Sequence, residues 1–549
     1  MANITFSRKI FEKEIGKLDE KMQEKISMFG TPLETFDEET IEIEVFANRP
    51  DLLSYQGFKR CFLAFLGKKP GMKKYELNKP EKDYQVIIDS STKEVRPYTV
   101  CAIVKGLKLD EEKIKEIIEI QEKLHVTMGR KRKKVAIGIY PLEKIKLPIT
   151  LKALEPDYIK FTPLESEKEM SGLQILQKHP TGKEYSHLLA GKSKFPVFVD
   201  SDNNILSMPP IINSQITGKV TDNTKDVFIE CSGFDFNTLK KCLNIIVLVF
   251  AEMGGKIYQM KLKGAPENIS PILQSEKIKI SLEDINKTLG TKIDEKKLKK
   301  LIENMGHNYN PKTKEVEIGP WRTDILHEVD LIEDVAIAYG YENLIPEIPE
   351  IATTGKENSE EVLKRKISEI LVGLGLLETS NYHLITQENQ FEKMGISEKQ
   401  EKEFVELKNS KTEYTLLRKD LSSSLLKNLS ENVDSEYPQR IFEIGTIFEF
   451  KKEIQEKENL AIAITPGNFT EIKQIITYLF KSLGVEITLK EPENSPTHLI
   501  DGRTATIILE EQQIGSIGEV HPKILKNWKI KMPVAIIELN LKSIFKKLK

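Results

Sequence analysis

The chain has 549 residues, 39% hydrophobic and 30% charged, a composition that suits several globular domains in one soluble chain. Its 82 Lys and Arg against 84 Asp and Glu leave a net charge of −2, which excludes a global basic field for non-specific nucleic-acid binding, so any such contact must come from a local patch. The four cysteines, Cys61, Cys101, Cys231 and Cys242, are too few and too scattered for a disulfide scaffold or a C-x-x-C motif, and a reducing cytoplasm is the expected setting. The opening MANITFSRKIFEKEIG has no apolar signal region. The longest apolar run, 243–255, falls short of the ~20 residues a membrane span needs, so no membrane segment is expected.

A charge-rich helical stretch opens the chain, and IEIEVFA (41–47) alternates as a half-buried strand does. Asn48-Arg49-Pro50-Asp51 breaks the strand, and 54–67 reads as a helix stopped by Gly67. We read Pro50 as fixing that turn and an Arg49–Asp51 pair as tying it. The polar stretch 69–83, with Pro and Gly, is an expected linker. VIID (86–89), 99–107 and 134–140 read as strands, 111–128 as an amphipathic helix, and 195–213 as a hairpin turning at Ser201–Asn204 and stopped by Pro209-Pro210. The apolar end of 236–254 marks a core helix.

From 270 to 346 the elements are short: a strand at 277–281, helices at 281–290 and 293–306, a turn and strand at 308–319, and a third helix over 324–341. Ser281 and Asp294 are the expected N-caps, and Gly290 and Gly306 the expected stops. This pattern predicts a small winged-helix-like domain. Pro346, Pro349 and 353–361 form the next linker. Beyond it, helices at 362–378 and 471–484 alternate with strands at 439–450, 460–465, 504–511 and 535–541. Several of these strands follow one another through short turns, which favours an antiparallel sheet with helices. The expected class is α+β and multidomain, with segments 1–85, 86–266, 268–347 and 350–549.

No P-loop, G-x-G-x-x-G, G-x-S-x-G or H-E-x-x-H motif occurs, and the eight histidines are scattered. A large chain without a familiar catalytic motif points to a binding protein or to a subunit whose chemistry sits elsewhere. The strongest local pattern is Trp321-Arg322-Thr323-Asp324-Ile325-Leu326-His327-Glu328-Val329-Asp330-Leu331-Ile332-Glu333-Asp334, running on to Tyr339-Gly340-Tyr341. Asp330, Glu333 and Asp334 fall at i, i+3 and i+4, with Asp324 at or before the helix start, while Ile325, Val329, Ile332 and Val335/Ala336 form an apolar stripe. Two readings stay open: a solvated acidic face with a capping Asp, or a hard-cation site of oxygen ligands suited to Mg²⁺. Likewise, Arg130-Lys131-Arg132-Lys133-Lys134 is either a solvated turn or a phosphate-contact patch.

The 322–341 segment resembles the signature of the phenylalanine–tRNA ligase beta subunit family, R-x-D-I-x-x-E-x-D-L-I-E-[ED]-V-A-x-x-Y-G-Y, departing at Ile337, where Arg is more usual. Asn48–Ser54 is similar to the family's N-R-P-D-x-L-S. Ala136–Tyr140, Ser207–Asn213 and Phe228–Gly233 resemble parts of its central tRNA-editing domain, and Leu417–Leu421, Asn432 and Phe442–Gly445 its ligase-like domain. The short 1–85 segment and an end soon after 535–545 resemble the archaeal and eukaryotic branch.

The resemblance implies a heterotetramer of two alpha and two beta subunits acting on tRNA(Phe), with no DNA or membrane partner. The alpha subunit uses ATP and Mg²⁺ to activate phenylalanine. The 350–549 segment would then be a class II synthetase-like domain without catalysis: Arg440 in Arg440–Glu443 is the only echo of the ATP-binding arginines, and no Arg follows Gly515–Glu519. The central domain would hydrolyse tyrosyl-tRNA, because an apolar phenylalanine pocket only weakly rejects an added hydroxyl. Glu230 would accept the tyrosine phenol, with Ser207, Asn213 and Ser232 binding the aminoacyl or adenosine ends. Asp324, Asp330, Glu333 and Asp334 would hold Mg²⁺, and Arg130, Lys131 and Arg132 would meet the tRNA acceptor arm. The rival is a stand-alone tRNA-binding or trans-editing protein. The retained acidic helix and the whole 362–549 segment argue against it.

Overall fold

The computed structural model describes residues 2–396 and 404–548, and the chain divides into two compact units, Met1–Ile348 and Pro349–Lys549. Both mix helices with sheets, as an α+β multidomain chain should. Among the described residues no helix is long and apolar enough to cross a membrane. All four cysteines are free and buried.

The first unit opens with an antiparallel sheet in the order Ala2–Ser7, Thr40–Val45, Leu33–Phe36. Thr40–Val45 alternates half-buried with buried residues, as its sequence pattern predicts. Phe6, Phe11, Phe29, Phe58 and Phe62 meet beneath the sheet with ring centroids 5.0–6.5 Å apart. At the 48–51 corner Arg49 grips Asp51 through two hydrogen bonds of 2.9 Å, both side chains buried. Ser54 then caps the helix Tyr55–Phe65 by accepting the Gly57 amide.

An eleven-stranded mixed sheet carries the centre of this unit. Val227–Gly233 lies between Tyr98–Lys105 and Val135–Pro141, antiparallel to both. Elsewhere in the sheet Phe195–Val199 pairs with Ile205–Met208, which pairs with Ile212–Asn213. The predicted turn is held by Asp200, whose carboxylate accepts the Asp202 and Asn204 amides at 3.0 and 2.8 Å. The helix Phe236–Glu252 packs between this sheet and Tyr55–Phe65, which explains why it is apolar on every side near its end. The expected linker is structured in part: Leu77–Asn78 pairs with Lys256–Lys263 in parallel.

The last part of the unit has a three-stranded antiparallel sheet, Glu276–Lys279, Glu315–Ile318 and Asn308–Asn310, with helices Leu282–Leu289, Glu295–Asn304 and Glu328–Tyr339. Ser281 and Asp294 cap the first two helices as predicted, and Gly290 ends the first in the left-handed conformation (φ 66°). The third helix begins later than expected. His327 is its N-cap and Asp330 closes a capping box, so Asp324 does not cap it.

The second unit is built on a seven-stranded sheet in the order Leu377–Glu378, Gln439–Phe450, Ile454–Thr465, Ala535–Asn540, Gln512–Val520, Leu499–Leu509, Thr488–Lys490. Every pairing is antiparallel except that of the short edge strand Leu377–Glu378. Helices Ser359–Gly373 and Phe469–Ser482 bury one face of the sheet, and Ser422–Glu431 with Trp528 buries the other. The first of these helices stops short of its expected end, because the chain turns at Gly375 (φ 81°) into the edge strand.

Removing one partner of a buried ion pair leaves the other charge stranded. Asp51→Asn should therefore destabilise the first unit by about 3–5 kcal/mol, read as a drop in its denaturant-unfolding midpoint. A loss under about 1 kcal/mol would mean that water compensates Arg49.

Candidate functional site

A cavity of about 660 Å³ opens between the helix Glu111–Val126, the strand Val135–Pro141 and the stretch 209–220. Ile117, Ile137 and Ile139 give it apolar walls, and Asn213 and Glu230 are among its polar lining. The register of Val227–Gly233 sets Glu230 opposite Gly138 on one side and Cys101 on the other. A Cβ at residue 138 would collide with the Tyr140 hydroxyl and the Glu230 carboxyl. Glycine at that position is what lets these two side chains meet.

The Tyr140 hydroxyl joins three of the predicted residues. It donates to Ser207 Oγ at 2.8 Å, with Asn213 Oδ1 at 3.4 Å and Glu230 Oε1 at 3.5 Å. Glu230 is 1% exposed, and its second oxygen, Oε2, has no hydrogen-bond partner. Burial pushes its carboxyl up to about 8, against the pull of Arg96. At neutral pH the group therefore holds its proton most of the time.

Ser232, the fourth predicted residue, is buried and committed elsewhere. Its hydroxyl accepts from Arg96 Nε at 3.0 Å, and its carbonyl accepts from the same guanidinium. The structure thus gathers Ser207, Asn213 and Glu230 around Tyr140 and holds Ser232 apart on Arg96. Arg96, Tyr140 and His125 complete the surroundings, and motif reading had assigned none of them. Tyr140 lies inside the quoted segment 136–140, but no local signal marks Arg96, 136 positions from Ser232. His125 Nε2 accepts the Ile137 amide at 2.8 Å, so its proton sits on Nδ1, 3.2 Å from Glu122 Oε1, and burial lowers its pKa.

The basic run divides. Arg130 and Lys131 are exposed, on backbone with φ of 48° and 53°. Arg132 instead turns onto the cavity wall, donating to the Ile211 carbonyl at 2.8 Å and Glu122 at 2.9 Å, with its guanidinium 4.4 Å from the centre of the Tyr185 ring. It is a strut between walls, which corrects its grouping with the solvent-facing cations.

The acidic helix departs furthest from its expected geometry. Arg322 donates to both oxygens of Asp324 at 2.9 and 2.7 Å and to both oxygens of Asp334 at 2.8 and 3.1 Å. His307 Nε2 stands 2.9 Å from Asp334. Burial alone would raise the Asp334 carboxyl, but Arg322 and His307 hold it well below the usual carboxylate range. Asp330 faces backward and accepts the Leu326 and His327 amides at 2.7 and 2.8 Å, while Glu333 is exposed. Of the expected stripe, Ile325, Ile332, Val335 and Ala336 are buried as predicted, while Val329 is 54% exposed and Leu331 is buried in its place. The four carboxylates are therefore not gathered, and their counter-charge is an arginine. Among the described residues no cluster of three or more His, Cys, Asp or Glu is placed to hold a metal ion, so these residues as arranged do not fit the implied Mg²⁺.

Sequence comparison adds the rest. The family described as "Phenylalanyl tRNA synthetase beta chain CLM domain" matches residues 345–541, "tRNA synthetase B5 domain" matches 278–341, and "B3/4 domain" matches 105–244. The phenylalanine–tRNA ligase beta subunit of Thermococcus sibiricus is 41% identical over 509 residues, covering 91% of this chain and 90% of that protein. The beta subunit of Archaeoglobus fulgidus is 34% identical over 541 residues, with 97% of each chain covered. The chain belongs to the phenylalanine–tRNA ligase beta subunit family. It is a ligase subunit of protein biosynthesis, of the archaeal kind. A crystal structure of an N-terminal fragment of the phenylalanyl-tRNA synthetase beta subunit from Pyrococcus horikoshii aligns with a TM-score of 0.59 and 36% identity, covering 62% of this chain and 99% of the fragment.

In phenylalanine–tRNA ligase terms, the B3/4 match encloses Tyr140, Ser207, Asn213 and Glu230, and the B5 match encloses the Arg322 cluster. Two predictions follow from the buried carboxyls. A raised folded-state pKa means that stability falls as pH rises from the free value of 4.5 to about 8. Glu230→Gln should thus raise the thermal midpoint, more at pH 8 than at pH 5. An equal change at both would place a charged, partnered carboxylate there. Asp334 has the opposite sign: its depressed pKa stabilises above the free value of 3.8 and that contribution is lost on acidification. Asp334→Asn should cost about 3–5 kcal/mol at neutral pH and flatten the acid limb of the unfolding curve.

Proposed function

We propose that the 660 Å³ cavity is an editing site that hydrolyses tyrosyl-tRNA(Phe), while aminoacylation takes place on a partner alpha subunit. The observation that carries this reading is Glu230: a carboxyl in an apolar cavity, 1% exposed, with one oxygen unmatched. A phenol hydroxyl is a hydrogen-bond partner for that carboxyl, and the phenyl ring of phenylalanine offers none. A site with buried polar groups rejects the ligand that leaves them unpaired, which is the discrimination an apolar synthetic pocket lacks. Tyr140 orients Glu230, Ser207 and Asn213 through one hydroxyl, and Arg96 fixes the strand beside them.

No protein nucleophile is needed. His125 is neutral, its Nε2 lone pair is taken by the Ile137 amide, and Cys101 and Cys231 are buried. Hydrolysis by a positioned water suits such a site. Arg130 and Lys131, exposed at the end of the helix Glu111–Val126, are the cations we assign to tRNA phosphates.

The second unit reads as a class II synthetase-like domain whose arginines serve structure. Arg418 is buried against Glu443 at 2.5 Å, and Arg440 is paired with Glu471 at 2.7 Å. Arginines so occupied do not neutralise a triphosphate. We therefore assign ATP and its Mg²⁺ to the alpha subunit, in a cytoplasmic assembly of two alpha and two beta chains.

The test is deacylation of preformed tyrosyl-tRNA by the assembled enzyme. Glu230→Ala removes a hydrogen bond to a neutral, buried carboxyl, for which a loss of roughly 2- to 13-fold is expected. Asn213→Ala should also slow editing, and phenylalanine charging should be unchanged in both variants. Equal deacylation by wild type and both variants would overturn the pocket assignment.

A further inference from the structure

The substrate of the proposed editing site is an ester, so a tyrosyl group seated at Glu230 brings with it the ribose and base of the terminal nucleotide. Ser232, one of the residues expected to hold that end, is bound to Arg96 instead. The cavity has room for more than one side chain: its volume of about 660 Å³ falls within the roughly 300–1,000 Å³ that takes a whole drug-sized ligand. It runs from a buried floor at Glu230 to an open rim on the helix Glu111–Val126.

That helix carries apolar residues beyond those its core side uses. Ile117, Ile120 and Leu124 are buried. Ile114 is half-buried and Ile118 is 56% exposed, and the two stand one turn apart on the face that lines the cavity. A single exposed isoleucine is ordinary on a protein surface. Here a pair forms a continuous strip at a cavity mouth. The next residue along that face, Gln121, is committed to the Ile137 carbonyl at 2.9 Å. In the other direction the surface dips into a shallower hollow of about 570 Å³, with Leu109, Ile114, Thr221 and Asp222 in its wall. Ile114 lines both spaces, so cavity and hollow form one path. The lining of the hollow includes the carboxylates of Asp110, Glu111 and Asp222 and no cation. Such a lining repels a phosphate and accepts from N–H groups, of which the edge of adenine has one in its exocyclic amine.

We propose that Ile114 and Ile118 seat the terminal adenosine of the tRNA, with its base over Ile114 and its edge toward the hollow at Thr221 and Asp222, while the tyrosyl group reaches Glu230. This rests on the editing reading of the cavity and adds the second half of the substrate to it. A base has apolar faces and a polar edge, which match an aliphatic strip ending in acceptors. The strip also separates substrate from free amino acid. Free tyrosine lacks the half that touches the isoleucines, so binding energy from the nucleoside is reserved for the ester that is to be hydrolysed.

The test uses the full-length chain and two probes in titration calorimetry: tyrosine amide, and 3′-deoxy-3′-(tyrosylamino)adenosine, in which an amide replaces the ester. The nucleoside probe should bind about tenfold or more tighter than tyrosine amide. Ile118→Ser, an exposed change that should leave thermal unfolding as in the wild type, and Ile114→Ser should each cut that advantage by about three- to tenfold and leave the affinity for tyrosine amide unaltered. Glu230→Ala should weaken both probes alike. The ratio between the probes thus reports the isoleucine strip, and their common loss reports the phenol site, so either reading can fail alone. Equal affinity of the wild type for the two probes would overturn the proposal. So would an advantage that survives intact in both isoleucine variants, or one that is unchanged when uracil replaces the adenine of the probe.

Discussion

Taking an ion out of water costs several kcal/mol unless an opposite charge, a proton or a ligand replaces the lost solvent. This constraint sorts the buried charges of the first unit. Arg49 meets Asp51, and Arg322 meets Asp324 and Asp334 with His307 beside them. These are closed arrangements that lock a corner in place and fasten a helix to its sheet. Glu230 follows a different route: burial favours its protonated form, and the pull of Arg96, which is hydrogen-bonded to Ser232, does not reverse it. The same chemistry, a buried carboxyl, is structural in one place and available in another, and the number of donors within reach decides which.

The Arg322 cluster shows how this sorting redirects a motif. Carboxylates spaced i, i+3 and i+4 invite a reading as a ligand set. Yet the helix Glu328–Tyr339 buries Leu331, Ile332, Asp334, Val335 and Ala336. Asp334 is drawn inward because an arginine waits there, twelve positions earlier in the chain. Asp330 is drawn backward because the amides at the helix start lack intrahelical partners. Once each carboxylate has satisfied its own neighbour, only Glu333 is left facing solvent.

Local grammar was therefore legible and long-range pairing was not. Ser281, Asp294, Gly290, the 201–204 turn and the Arg49–Asp51 corner are decided within a few residues, and all are found as read. The start of the acidic helix was misread because histidine is an uncommon cap and Asp324 a common one. Three of the four expected pocket residues converge, since Ser207 and Asn213 face each other across one strand pair and Glu230 lies on a quoted strand. What sequence spacing could not supply is the partner from another element. Arg96 takes Ser232 out of the pocket, Tyr140 unites the others, and Glu122 with the Ile211 carbonyl pulls Arg132 out of the basic run. Those partners come from a helix, from loops and from strands of the central sheet, which only the folded chain brings together.

A carboxyl and a guanidinium differ in how they tolerate an empty site. Glu230 can rest neutral between substrates, because its pKa can rise to about 8 and a neutral carboxyl in an apolar wall costs far less than a charged one. A neutral carboxyl can both donate and accept a hydrogen bond, with no charge to displace. Arg60 has no such resting state, since a guanidinium stays charged at any physiological pH. Stacking on Trp321 offsets part of its burial, and its nearest carboxylates are bound to Arg49, Lys73 and Tyr75. An acid can be left waiting in a fold at modest cost; a guanidinium needs standing neighbours. Arg60 is held by the Trp321 ring and the through-space pull of Glu252 and Asp51, whereas the carboxyl of Glu230 needs no fixed counter-charge.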